Sequence, residues 1–180
     1  MSLGFELSRE PLQTLRVDAI GYGAKDTGDM GGGAAAAVLA SAGLEILAEL
    51  KSKLSASPRR VGDVIVTPSF GLARGGVRWV IHIVSIIKHT PDGAYCPQPE
   101  RLRDGVISGL TAVAKLGARS VALSALGTGE GRVDPGLAAR NMIEGLREFR
   151  RRDAKSEMSV VFSLPSYRDY EAFRSLAQSC

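Results

Sequence analysis

Short apolar segments of strand length alternate along this chain with longer segments whose apolar residues recur every three or four positions. Residues 15–22 read as a strand that closes on glycine. Residues 34–54 are helical in composition, carry Leu44, Leu47 and Leu54, and contain Gly43 where a helix would break or bend. Residues 63–67 form a β-branched run stopped by Pro68. Residues 77–87 are almost uninterruptedly apolar, the pattern of a strand covered on both faces.

The alternation continues past a proline-rich loop at 91–99. Leu102, Val106, Leu110 and Val113 share one helical face, with Gly117 placed to cap that helix. Residues 120–123 make a further strand. Asp134 and Pro135 offer an N-cap and a first-turn proline to a helix whose buried face is Ala138, Met142, Leu146 and Phe149. Residues 159–164 form the last strand. Ser166, with Asp169 three residues on, resembles a capping box, and the final helix is expected to bury Tyr170, Phe173 and Ala177. Strands and helices in this order imply an α/β fold, with helices on both faces of a sheet that is at least partly parallel. The longest loops are expected at 23–33, 88–98 and 126–134, where function concentrates.

At 180 residues the chain has the length of one domain, 1–180, of which residues 1–4 read as partly a cloning remnant. Hydrophobic residues at 44% and charged residues at 23% are ordinary globular usage, which excludes a disordered or fibrous chain. The formal charge of +4 suits acidic small ligands and tolerates nucleic acid without requiring it. Cys96, Cys180, His82 and His89 show no metal-ligand spacing, so no disulfide framework, metal or cofactor is expected. No apolar run reaches about 18 residues and no signal peptide is visible, so a cytoplasmic protein without a membrane span is the expectation.

Two glycine-rich loops stand out. The first runs from Gly21 to Ala37, with Gly31, Gly32 and Gly33 leading straight into a helix. Backbone without Cβ approaches a ligand closely, and first-turn N–H groups lack intrahelical partners, so an anion such as phosphate fits there. A mobile turn with small residues for tight packing is the competing reading. The second loop, Ser124 to Pro135, follows a strand and precedes a helix, the position at which open α/β sheets bind ligands. Its glycines miss the dinucleotide fingerprint, because Arg132 stands where the third would be, and the chain has no P-loop motif.

Taken together the segments resemble macro domains. The resemblance is carried by Val17-Asp18-Ala19-Ile20, by Gly31-Gly32-Gly33 running into an alanine-rich helix, and by Gly62-Asp63-Val64-Ile65-Val66-Thr67-Pro68. Trp79-Val80-Ile81-His82-Ile83-Val84 and Ser124-Ala125-Leu126-Gly127-Thr128-Gly129 complete it, in the family's order, across residues 5–178. It implies a three-layer fold with a mixed central sheet flanked by helices, and a cleft that holds ADP-ribose or a related nucleotide metabolite. Carried over, Gly31, Gly32, Gly33, Ala34 and Ala35 would contact the proximal diphosphate–ribose. Ser124, Gly127, Thr128, Gly129, Glu130, Gly131 and Arg132 would wrap the phosphates from the other side. The partner it implies is free ADP-ribose or an ADP-ribosylated protein.

The chain departs from the family at three places. Lys25 stands where hydrolytic members carry the Asn that meets the distal ribose. Glu10 is the nearest carboxylate to the N-terminal adenine-contacting Asp, and the second loop lacks its usual aromatic. The alternatives to simple binding are an ADP-ribosyl hydrolase, acting on modified protein, ADP-ribose-1″-phosphate or O-acetyl-ADP-ribose, and a nucleic-acid-binding module.

Lys25 itself has three readings: a phosphate- or ribose-facing cation, a nucleophile of lowered pKa, or a solvated loop lysine. As a cation it would favour a ligand ending in phosphate. Lys25, Asp29 and Glu130 are the catalytic candidates, with Asp26 a further loop carboxylate, and each carboxylate reads equally as a cap or a solvated side chain. Asp18 and His82 read as structural hydrogen-bonding residues. Arg147, Arg150, Arg151 and Arg152 read as a cationic helix end or, alternatively, a polyanion contact.

Overall fold

The computed structural model describes residues 4–55, 59–87 and 98–178. Alternation of side chains along the strands sets its layers. On β4 (Trp79–Ile86), Ile81 and Ile83 enter one hydrophobic cluster while Val80 and Val84 enter another. On β5 (Ser120–Ser124), Val121 and Leu123 join the first cluster and Ala122 the second. A strand with both faces covered reads as a continuous apolar run, which is why β4 shows no polar alternation in sequence.

Helices α3 (Pro99–Lys115), α4 (Pro135–Arg152) and α5 (Tyr167–Gln178) close the first cluster. Helices α1 (Gly33–Ala42) and α2 (Leu44–Leu54) close the second. Between them lies a six-stranded sheet in the order β1 (Glu6–Ser8), β6 (Ser159–Ser163), β5, β2 (Ala19–Lys25), β4, β3 (Val64–Pro68). Every pairing is parallel except β3 with β4. The fold is the expected three-layer α/β arrangement with a mixed sheet. Pro68 is tolerated because it ends an edge strand, where one side of the backbone has no ladder to serve.

Several boundaries differ from the sequence expectation, each for a local reason. The second strand spans Ala19–Lys25 rather than 15–22. Asp18 is engaged in a turn, where its Oδ2 accepts the Arg119 N–H at 2.7 Å and the Ser120 N–H at 3.1 Å. Those bonds, the one from Arg119 foremost, hold its carboxyl below the ordinary 3.8. At the other end, pairing with β4 continues past a register shift at Ala24/Lys25, which draws Lys25 into the strand. Gly43 divides the 34–54 segment into two helices bent by 118°, and its φ of +94° explains the glycine. Strand β1 is too short and too polar to announce itself, and it exists by parallel pairing with β6.

The caps behave as read at Asp134, whose side chain accepts the Leu137 N–H at 3.0 Å. Ser166 accepts the Asp169 N–H at a long 3.4 Å, while the Asp169 carboxylate turns elsewhere, so only half of a capping box forms. Tyr170 is only half-buried; Phe173 and Ala177 are buried as expected. His82 is fully buried between the Tyr22 hydroxyl (2.6 Å to Nδ1) and the Thr67 hydroxyl (2.9 Å to Nε2), a satisfied core histidine. The loop expected at 88–98 falls almost wholly outside the described residues, as do His89, Cys96 and Cys180.

No single helix among the described residues is long and apolar enough to cross a membrane. Helices α1 and α2 pass that test only as a bent pair, and they bury Val38, Ile46 and Leu50 in the second cluster.

Candidate functional site

Neighbouring strands β2 and β5 send their chains to opposite faces of the sheet, β2 into α1 and β5 into α4. A crevice necessarily opens between two connections that diverge from adjacent strand ends. Both glycine loops lie on its walls, so the two segments singled out in sequence do converge.

The crevice has two lobes. The smaller, roughly 130 Å³, is lined by Gly23 and Lys25 of β2, Ser85 and Ile86 of β4, and the facing glycine loops. The larger, roughly 390 Å³, is lined by Pro11, Leu12, Ala37 and Pro165, with Ser163, Ser166 and Asp169 supplying polar groups. Gly33, Ala34, Ser124, Ala125 and Gly129 line both lobes and form the seam between them.

The seam attracts anions through backbone N–H groups. The first intrahelical bond of α1 runs from the Ala36 N–H to the Gly32 carbonyl at 3.2 Å, so the N–H groups of Gly33, Ala34 and Ala35 precede the ladder. Gly32, the N-cap, has no side chain to satisfy them and the first turn holds no acidic residue. Opposite, the second glycine loop folds tightly, with the Arg132 N–H donating to Gly129 O and the Val133 N–H to Gly127 O, each at 3.0 Å. A Cβ on Gly131 would stand 2.6 Å from the Gly127 carbonyl oxygen, so this turn closes only with glycine there. Arg132 adopts φ +50°, a left-handed conformation that a side chain strains.

Of the residues expected at the site, Gly32, Gly33, Ala34, Ala35 and Ser124 line the crevice from one side and the middle. Gly127, Thr128, Gly129, Glu130 and Gly131 line it from the other. Three expected residues line neither lobe. Glu10 is exposed, and its contribution is a backbone carbonyl that accepts the Ser163 hydroxyl at 2.8 Å. Gly31 is exposed one residue before the N-cap, and Arg132 is exposed beyond the turn that its own N–H closes. The carboxylate that does reach the larger lobe is Asp169, at the start of α5. It accepts the Thr128 hydroxyl at 3.2 Å, and burial pushes its pKa up. In sequence Asp169 reads as a capping residue. Its position six residues after β6 ends, in the first turn of α5, is the signal that could have marked it.

The three catalytic candidates all line the smaller lobe, each with a partner. Lys25 Nζ and Glu130 Oε2 stand 2.6 Å apart, an ion pair joining the end of β2 to the second glycine loop. The Lys25 side chain is only 15% exposed, so the solvated-loop reading of this residue is corrected. Asp29 accepts the Thr27 hydroxyl at 2.9 Å and lies 3.9 Å from Lys51 Nζ. Among the described residues no group of three or more His, Cys, Asp or Glu side chains stands close enough to hold a metal ion.

The arginine cluster at the end of α4 is largely occupied. Arg151 and Arg152 each reach Glu148 at 2.6 Å, which holds that carboxyl below its ordinary range through the Arg151 hydrogen bond first. Arg150 donates to the Gly4 carbonyl and so ties the N-terminal segment to α4.

Comparison with known proteins agrees with this geometry. The family model described as "Macro domain" matches residues 23–142. An uncharacterised protein of Thermococcus kodakarensis is 29% identical over 180 residues, covering 93% of this chain and 95% of the relative. Among solved structures, the Oceanobacillus iheyensis macrodomain with ADP superposes at a TM-score of 0.82 with 24% identity, over 96% of this chain and 89% of that one. The Trypanosoma brucei macrodomain in complex with ADP-ribose superposes at 0.76 with 24% identity, over 94% and 67%. A family match spanning well over half of the 180 residues, on a sheet and crevice of this form, places the chain in the macro domain family.

Proposed function

We propose that this chain binds ADP-ribose, free or as the ADP-ribosyl group of a modified protein. The observation that carries the reading is the two-lobed crevice with an anion-friendly seam. Its larger lobe has apolar walls suited to a flat base, and Asp169 and Ser166 there accept or exchange hydrogen bonds with base edges. The seam offers backbone N–H groups at the first turn of α1 to a diphosphate. The smaller lobe, with the Lys25–Glu130 ion pair and Asp29 on its walls, suits the hydroxyl-rich terminal ribose. The superposed macrodomains, one with ADP and one in complex with ADP-ribose, support this choice over an unrelated anion. For such a nucleotide ligand we propose a cytoplasmic setting.

The test is calorimetric titration of the wild type and of Gly32→Val with ADP-ribose. Gly32 has extended backbone, φ −151°, which any residue adopts, and a Cβ there would meet only Glu130 Oε1 at 3.7 Å. Valine is therefore tolerated by the fold and intrudes on the crevice. Affinity should fall at least about tenfold, or ~1.4 kcal/mol. A folded G32V protein that binds as tightly as wild type would remove the α1 turn from the site.

A further inference from the structure

The smaller lobe stands on a helix N-terminus, yet its side chains carry two carboxylates and one cation. Lys25 enters from β2. Glu130 meets it through Oε2 at 2.6 Å, and Glu130 Oε1 lies 3.7 Å from where a Cβ of Gly32 would be. The Glu130 carboxylate thus lies against the N-cap of α1, between the lysine and the helix turn that together attract an anion. Asp29 adds a second negative charge on the same lobe.

We propose that Glu130 determines specificity at this lobe, selecting a ligand end that is neutral and hydroxyl-bearing over one that carries a phosphate monoester. The proposal rests on the ADP-ribose reading above and names the form of the terminal ribose that the lobe takes. Glu130 occupies the position that a terminal phosphate would claim. A phosphate must either sit beside a carboxylate, with repulsion between like charges, or displace it from Lys25. A ribose hydroxyl instead donates to the carboxylate and leaves the ion pair in place. This reverses the expectation drawn from Lys25 alone, because sequence does not show the carboxylate that arrives from 105 positions further along the chain.

The experiment is titration of ADP-ribose and of ADP-ribose-1″-phosphate into wild type, Glu130→Gln and Glu130→Ala. The Glu130 side chain is 47% exposed, so both variants should fold, and circular dichroism with a melting curve checks each. Wild type should bind ADP-ribose more tightly than its 1″-phosphate. The ratio of the two dissociation constants should move toward the phosphate by about tenfold or more in E130Q and in E130A. A wild type that prefers the phosphate, or a ratio that stays within about twofold in both variants, overturns the proposal while leaving ADP-ribose binding intact. Failure of wild type and variants to bind either nucleotide overturns the parent reading and this one with it.

Discussion

Acidification should destabilise this fold through His82 in particular. The imidazole is fully buried, one nitrogen against the Tyr22 hydroxyl and the other against the Thr67 hydroxyl. One hydroxyl donates and the other accepts, which satisfies a neutral ring; an imidazolium would need both hydroxyls to accept, and the hydroxyl that donated would have to place its proton elsewhere. Burial lowers its pKa from 6.5 to about 3. The unfolded chain therefore takes a proton at this residue below pH 6.5, while the folded chain takes none until about pH 3. Stability from this source is complete above pH 6.5 and is lost as pH falls toward 3, at about 1.4 kcal/mol per pH unit. Two units, from 6.5 to 4.5, remove roughly 2.7 kcal/mol, a large part of a typical domain's 5–15 kcal/mol. Urea unfolding at pH 7.0, 6.0, 5.0 and 4.5, on wild type and on His82→Gln, isolates the effect, since all other groups titrate in both proteins. H82Q starts less stable at pH 7 by roughly 1–3 kcal/mol from imperfect replacement of the two hydrogen bonds. The gap should shrink as pH falls, and near pH 4.5 it should have closed or reversed. A gap that stays constant from pH 7.0 to 4.5 would show that His82 is not held neutral by the fold.

Three shorter predictions follow the same logic elsewhere. Asp18→Asn should cost about 1–3 kcal/mol in thermal unfolding at neutral pH. Because the Asp18 pKa is depressed in the fold, the difference should vanish as pH falls through it, and a difference that persists in acid would point to packing instead. Arg132→Gly should relieve left-handed strain at φ +50° and raise stability by up to about 1 kcal/mol, read as a higher melting temperature. A lower melting temperature would mean that the arginine side chain stabilises the loop. Asp169→Ala should weaken ADP-ribose binding about tenfold. Wild-type affinity should also decline as pH drops through the raised Asp169 pKa, and equal affinities across that range would exclude a contact from this carboxylate.

Much of the architecture was legible because it is written in local periodicity. Leu102, Val106, Leu110 and Val113 are buried as their spacing requires, and so are Ala138, Met142, Leu146 and Phe149. The glycine loops were legible because each ends a strand and starts a helix, and runs of glycine are conspicuous at such junctions. What misled was end-of-element detail. Residues 15–18 look like strand but are spent on the Asp18 turn, and Glu10, the carboxylate singled out near the N-terminus, lines neither lobe.

The sequence by itself determined the longer elements, the layering and the two walls of the crevice, but not β1. A side chain's face on a strand or helix depends only on neighbours two to four residues away, and hydrophobic burial acts on that pattern directly. Tertiary structure alone decided which charges line the crevice. Lys25 meets Glu130, and Asp169 rather than Glu10 reaches the larger lobe. Those outcomes follow from strand order, since β2 lies beside β5 and β6 beside β1. Contacts between residues a hundred or more positions apart leave no period in the chain, because only the pairing of the sheet brings them within Coulomb range.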